Sequence, residues 1–252
     1  MKDRLVLGLQ PARELLRVRP EEVVEVLVDD KGGPKVEGLE RLAASRGVSL
    51  RRTSTRELDR IAKGGRHQGV IATAAELPVL DKDDLLEAVD AWPTDAPSPV
   101  VLALDGVMDP QNFGASVRSA VALGADFVIW PEHSSAPLSP AMFRASAGAV
   151  EHARLTRVHA LPEVLRELRA RAFEVVVLDP RGTMELSEVD LTLPCVLVIG
   201  AEDKGSRGPV KRESTRQARL PITDRIDSLN ASVAAAVALY EARRQRVSPT
   251  KT

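Results

Sequence analysis

From Val100 onward the sequence sets short, almost wholly apolar runs against stretches of helical period, and that alternation leaves few architectures open. The apolar runs at 100–104, 127–130, 174–178 and 195–199 read as strands, and 115–123, 139–147, 162–171 and 232–243 as helices. A strand with no polar face is suited to a sheet covered on both sides, and helical crossovers between such strands make the sheet largely parallel. Aromatic residues are only 3% of a chain that is 44% hydrophobic, so the core should consist of aliphatic helix-on-sheet layers. The expected class is α/β.

Residues 1–75 repeat the alternation on a smaller scale, with strands at 5–7, 23–28, 48–50 and 70–73 and helices near 11–17, 36–46 and 55–62. The stretch 76–99 differs: an acidic run at 81–90 is followed by Trp92-Pro93, Pro97 and Pro99, the pattern of a linker with a short helix. The expected division is a small N-terminal domain over 1–75, a linker over 76–99 and a larger domain over 100–252, a reasonable load for 252 residues.

The net charge of −1 hides an uneven distribution. Residues 1–75 carry 15 basic and 11 acidic side chains, 76–99 carry 1 and 7, and 100–252 carry 19 and 18. Within the first region Arg51, Arg52, Arg56, Arg60, Lys63 and Arg66 are opposed locally only by Glu57 and Asp59. Such a cluster is either a solvated face or a surface that contacts nucleic-acid phosphates. No apolar run approaches the ~20 residues of a membrane span and no signal-peptide core follows Met1, so a cytoplasmic location is expected. Cys195, the single cysteine, excludes an intrachain disulfide and sits in an apolar run as a core residue. His133, His152 and His159 lack ligand-like spacing and have no cysteines near them, so no metal is expected. His67 reads as a turn or core residue, Met142 and Phe143 as core, and the tail 247–252 as frayed.

Ligands of parallel α/β sheets collect at the carboxyl ends of strands, which directs attention to the loops after Leu104, Ile199 and Leu220. The first runs from Asp105 through Asp109-Pro110-Gln111-Asn112-Phe113-Gly114, and the helix after it carries Arg118 about one turn in. The second, Gly200-Ala201-Glu202-Asp203-Lys204-Gly205, places a carboxylate where glycines permit close backbone approach. The third passes from Leu220-Pro221-Ile222 through Ser228-Leu229-Asn230 into an Ala/Val-rich helix that either Ser228 or Asn230 can cap. Taken singly, these residues also fit structural roles: Asn112 and Asn230 as caps, Arg118 as an exposed charge, Glu202 as an anion at a helix start. No Gly-x-Gly-x-x-Gly turn follows an early strand, which argues against an ordinary Rossmann nucleotide site.

Together the three segments resemble the three motifs of the SpoU/TrmH family of RNA ribose 2′-O-methyltransferases, over essentially all of 100–244. The first motif is matched by Asp109–Gly114, Arg118, Ala120 and Gly124, the second by Gly200, Glu202 and Gly205, and the third by Ser228, Leu229, Asn230, Ser232 and Ala234. A further Ser-x-Gly-Ala feature is matched at Ser146, Gly148 and Ala149. Gly8-Leu9-Gln10, Leu15-Leu16 and His67-Gln68-Gly69-Val70 resemble the N-terminal substrate-binding domain of the subgroup acting on large-subunit ribosomal RNA.

The resemblance implies a small N-terminal α/β RNA-binding domain and a C-terminal trefoil-knotted α/β methyltransferase domain. Nothing in composition or periodicity indicates a knot. It further implies a homodimer, an RNA substrate that is ribosomal rather than transfer RNA, and S-adenosylmethionine held at Gly200, Leu220, Ile222 and Leu229. The catalytic set becomes Asn112, Arg118, Glu202, Ser228 and Asn230. A guanidinium with a pKa above ~12 makes a poor base, so Arg118 is assigned to stabilising the developing 2′-oxyanion and its neighbouring phosphate. Asn112 fixes the loop or the ribose, Glu202 holds Arg118 or a helix N-terminus, and Ser228 and Asn230 order the cofactor loop; the proton acceptor is not assigned. The chain departs from the family at Pro221-Ile222, where Pro-Met is usual, at Asp224 and Arg225, which bring charge and bulk to the same loop, and at Gln10, where the subgroup often has His. Two alternatives compete: an RNA-binding or ribosome-assembly factor that kept the fold without catalysis, and a metabolic α/β enzyme acting on a small molecule.

Overall fold

A computed structural model describes residues 3–247, so most of the tail expected to fray, 248–252, lies outside the described residues. In chain order the elements are β1 (Arg4–Leu7), α1 (Leu9–Val18), β2 (Val23–Asp29), α2 (Pro34–Ser45), β3 (Leu50–Thr53), α3 (Thr55–Ala62) and β4 (Val70–Ala74). These are followed by β5 (Val79–Leu80), α4 (Lys82–Asp90), β6 (Val100–Asp105), α5 (Pro110–Leu123), β7 (Phe127–Pro131), α6 (Pro140–Ser146) and β8 (Leu155–Val158). The chain continues through α7 (Leu161–Ala170), β9 (Glu174–Leu178), β10 (Met184–Glu185), β11 (Cys195–Gly200), α8 (Gly208–Arg212), β12 (Arg216–Arg219) and α9 (Ala231–Val247).

The chain forms two compact units that do not follow chain order: one runs up to Pro78 and includes Leu138–His152, and the other comprises Val79–Pro137 and the chain from Ala153. This differs from the contiguous division 1–75, 76–99 and 100–252 in two places. Residues 79–90 of the expected linker are built into the larger unit, where β5 pairs with β8. The segment 138–152 joins the smaller unit, because Arg4 donates two hydrogen bonds, 2.8 and 2.7 Å long, to the carboxylate of Glu151. Both side chains are nearly excluded from solvent, and removing one partner of such a pair costs about 3–5 kcal/mol because the other is left buried and uncompensated. Gly148, at φ +88, lies so close to α1 that a Cβ there would stand 3.0 Å from the Cα of Pro11. The Ser146-x-Gly148-Ala149 feature therefore belongs to this smaller unit.

The smaller unit is a four-stranded sheet in the order β1-β4-β2-β3. One face buries Leu15, Leu16, Val26, Val28, Leu39 and Val70 under α1 and α2; the other buries Leu27, Leu58 and Ile71 under α3. Met142 is buried as expected, whereas Phe143 is only half-buried and lies 5.6 Å beneath the Arg4 guanidinium. His67 is a core turn residue: one ring nitrogen pairs with Asp59 at 2.9 Å and the other accepts from the Gly69 N–H at 3.1 Å.

The larger unit is one eight-stranded sheet in the order β10-β12-β9-β11-β6-β7-β8-β5, every pair parallel. Its central strands are buried along their length, which is why their sequences carry no polar face. On one side of the sheet α5 packs through Phe113, which is fully buried and meets Trp130 edge-on at 5.3 Å. Helix α9 packs on α5 and β11 through Ala231, Ala235, Ala238 and Ala242, small residues recurring at helical spacing that let the two helices approach closely. No helix among the described residues is long and apolar enough to cross a membrane.

Candidate active site

The register of the large sheet determines what can meet at its carboxyl edge. β6 and β11 are neighbours with Leu104 opposite Ile199 and Asp105 opposite Gly200, so the first two loops leave the sheet side by side. Asp105, fully buried at the end of β6, accepts from the Arg207 backbone N–H at 2.8 Å and from its Nε at 2.7 Å. That pair fastens the loop after β11 to the loop after β6, a role sequence reading did not give to either residue. The only available signal was a carboxylate closing an otherwise apolar strand. Between them the chain turns so tightly that a Cβ at Gly200 would stand 2.1 Å from the Ser206 nitrogen, and only glycine fits.

Helix α5 begins at Pro110 rather than near Ala115. Asp109 caps it by accepting from the Gln111 and Asn112 N–H groups at 3.1 and 3.4 Å, and proline occupies the first turn, where its missing N–H is not needed. Asn112 is thereby fixed in the first turn and donates through Nδ2 to Glu202 Oε1 at 2.7 Å. The same oxygen accepts from Asn230 Nδ2 at 2.6 Å and from the Ala231 N–H, the first residue of α9, at 3.2 Å. Asn230 also donates to Asn112 Oδ1 at 3.0 Å. It caps α9 by accepting from the Ser232 and Val233 N–H groups at 3.0 and 3.3 Å. Of the two candidate caps it is Asn230, not Ser228, that acts.

One carboxylate oxygen therefore joins all three motif segments. Of the two tasks expected of Glu202, it performs the holding of a helix N-terminus and not the holding of Arg118. Arg118 is exposed on α5 and makes no hydrogen bond or ion pair among the described residues, which leaves its guanidinium available to an anionic ligand.

Beside this junction lies a cavity of about 620 Å³, within the common range of ligand sites. Gly200, Glu202, Leu220, Ile222, Ser228 and Leu229 all line it, and Leu178 and Ile199 add apolar wall. Its charged margin holds Asp179, Asp203 and Asp227 together with Arg181, Lys204 and Lys211. Carboxylates suit the sulfonium and ammonium of S-adenosylmethionine and cations suit its carboxylate, so size, apolar wall and charge all fit that cofactor. Burial pushes the Asp179 carboxyl up, but its hydrogen bond to Lys211 and the Arg181 N–H outweigh this and hold it below the usual range. Asp224 and Arg225 are exposed and do not line the cavity, so the charge they add does not enter it.

The six cations expected to contact RNA are all exposed on the smaller unit, but they are not equivalent. Arg51 pairs with Glu25 at 3.1 Å, Arg52 with Glu40 through bonds of 2.7 and 3.0 Å, and Arg60 with Glu57 at 2.7 Å. Arg56, Lys63 and Arg66 have no such partner among the described residues. Glu25 and Glu40 escaped sequence reading because the pairing of β2 with β3 and the packing of α2 against β3, not proximity in the chain, bring them to the cluster. Cys195 is a core residue whose burial pushes its thiol up to about 11. The spacing argument against histidine ligands fails in space for two of the three: Glu132, His133 and His159 meet, one ligand atom of each within 4.8 Å of the others.

Two family profiles cover most of the chain. The SpoU rRNA methylase family matches residues 99–240, and a domain described as RNA 2′-O ribose methyltransferase substrate binding matches residues 5–80. The chain belongs to the SpoU rRNA methylase family, a class of S-adenosylmethionine-dependent enzymes that methylate ribose 2′-hydroxyls of RNA. Among its relatives is the 23S rRNA (guanosine-2′-O-)-methyltransferase RlmB of Pseudomonas syringae pv. tomato, 37% identical over 98% of this chain and 97% of that protein. The RlmB of Xylella fastidiosa is 35% identical over 97% of this chain and 98% of its own length. Similar solved structures include the SpoU methyltransferase AviRb of Streptomyces viridochromogenes in complex with AdoMet, with a TM-score of 0.78 and 25% identity, covering 97% of this chain and 91% of that one. Another is an AdoMet-bound rRNA methyltransferase of Sinorhizobium meliloti, with a TM-score of 0.77 and 25% identity, covering 98% and 88%.

Proposed function

We propose that this protein transfers a methyl group from S-adenosylmethionine to a ribose 2′-hydroxyl of ribosomal RNA, with a guanosine of 23S rRNA as the first substrate to test. The observation that carries the reading is the junction at Glu202, where all three motif segments meet beside a cavity of fitting size and charge. In this reading the smaller unit, which includes residues 138–152, binds RNA, and the larger unit, which includes residues 79–99, is catalytic, knotted as a trefoil and paired in a cytoplasmic homodimer.

The cofactor supplies an electrophilic methyl group on a sulfonium. Gly200, Leu220, Ile222 and Leu229 hold it through backbone and apolar contacts, while Glu202 and Asn230, with Ser228 beside them, keep the surrounding loops in place. Asn112, oriented by Glu202, positions the ribose. Arg118 binds the adjoining phosphate and stabilises negative charge developing on the 2′-oxygen, a contribution that rests on positioning and preorganised charge.

The test is transfer of radiolabel from S-adenosylmethionine to transcribed 23S rRNA, followed by mapping of the alkali-resistant position. Incorporation that vanishes when the target nucleotide is 2′-deoxy is the expected result. RNA binding without cofactor binding or transfer would instead select the non-catalytic assembly factor. Cofactor binding with no salt-sensitive RNA affinity would select a small-molecule enzyme.

A further inference from the structure

We propose that Glu132, His133 and His159 form a binding site for a divalent transition-metal ion of the zinc class. β7 and β8 are adjacent and parallel, with Pro131 opposite Val158 and the Glu132 N–H bonded to the Val158 carbonyl at 2.9 Å. Glu132 and His159 are therefore the first residues past the paired ends of two neighbouring strands. The turn at 132–133 brings His133 back over them. The two imidazole rings meet edge to face with centroids 5.6 Å apart, and a Glu132 carboxylate oxygen lies 3.9 Å from a His133 ring nitrogen.

Zinc in tetrahedral geometry, with bonds of about 2.0–2.1 Å, needs its ligand atoms roughly 3.4 Å apart. Here one ligand atom from each residue already lies within 4.8 Å of the others. The three side chains are exposed, and neither ring makes a hydrogen bond among the described residues, so small side-chain rotations close the remaining gap without breaking packing. Two imidazoles and one carboxylate favour zinc, nickel or copper over magnesium and calcium, which take oxygen ligands. Three protein ligands leave further coordination positions open to water.

The site lies at the same carboxyl edge as the motif loops. The segment that begins at Glu132 is tied to the first of them by the Ala136 N–H, which donates to the Val107 carbonyl at 2.9 Å.

Titration calorimetry of the full-length, chelator-stripped protein with zinc chloride tests the proposal, with cobalt(II) absorption reporting the ligand field. One ion per chain is expected, along with loss of more than about tenfold in affinity in His133→Ala and in His159→Ala, since even outer-shell partners of metal ligands are worth 10–100-fold. His152→Ala, which removes a histidine of the smaller unit, should bind as wild type. Absence of zinc binding by the wild type overturns the proposal, and so does stoichiometric binding that survives in the His133→Ala/His159→Ala double variant. Circular dichroism of each variant separates loss of ligand from loss of fold.

Discussion

The carboxyl edge of the large sheet and the basic stretch of the smaller unit were both read as functional, yet they are organised in opposite ways. At the sheet edge, polar residues drawn from three distant segments converge on one oxygen of Glu202, and the one cation of the set, Arg118, stays unpaired. In the basic stretch the residues are close in sequence, but half of the cations are matched by Glu25, Glu40 and Glu57. Positive charge counted along a chain overstates what a phosphate will meet. A polar residue fixed by partners from elsewhere in the chain is the better sign of a built site.

The sharpest way to break this comparison is Arg118→Ala. Removing one preorganised oxyanion stabiliser lowers kcat by about 10²–10³-fold, and calorimetry should find cofactor affinity unchanged because Arg118 does not line the cavity. Normal turnover in this variant would remove Arg118 from the chemistry.

The two halves of the basic stretch come next. Neutralising Arg56, Lys63 and Arg66 together should lower the slope of log K against log salt by about 2–3, at roughly 0.7–0.9 per phosphate contact. Neutralising Arg51, Arg52 and Arg60 should lower it less. Equal slopes would mean that the glutamate partners release their arginines to RNA. Smaller again is Asn230→Ala, expected to destabilise the fold by about 1 kcal/mol through loss of the α9 cap, with weaker cofactor binding as the larger unit's edge loosens.

The smallest effect concerns pH. Asp179 is held below its ordinary value of 3.8. Its stabilising contribution is therefore complete above that value and lost as pH falls through the lower folded one. Asp179→Asn should flatten the fall in Tm below pH 4, and an unchanged profile would show that Lys211 contributes nothing there.

The parallel core was legible because β6, β7, β9 and β11 are apolar but for Asp105 at the end of β6 and Glu174 at the start of β9, and so was the motif set that the structure brings together. The strands that went unread lack that signature. β12 has the sequence Arg-Gln-Ala-Arg and buries only Ala218; it is a strand because β9 offers it a ladder, not because its side chains demand one. β8 carries an exposed arginine within four residues. Strand β3 runs through Arg51 and Arg52, later than the expected 48–50, because it pairs only with β2 and leaves those side chains in solvent. The first turn of α5 was announced by Asp109-Pro110 and was still placed too late. The Arg4–Glu151 pair and the meeting of Glu132 with His159 depend on chain separations that no local pattern encodes.

The junction at Glu202 also has a temporal side. Its bonds link residues 90, 28 and 118 positions apart along the chain, and its third arm is the cap of the last described helix. Contacts so distant in sequence form late in folding. A nascent chain still lacking α9 can assemble the strands that carry Asn112 and Glu202 but cannot yet bring Asn230 to them. Competence to hold the methyl donor should therefore appear only once α9 has been made, so that a nascent chain that stops short of it is unable to act on RNA.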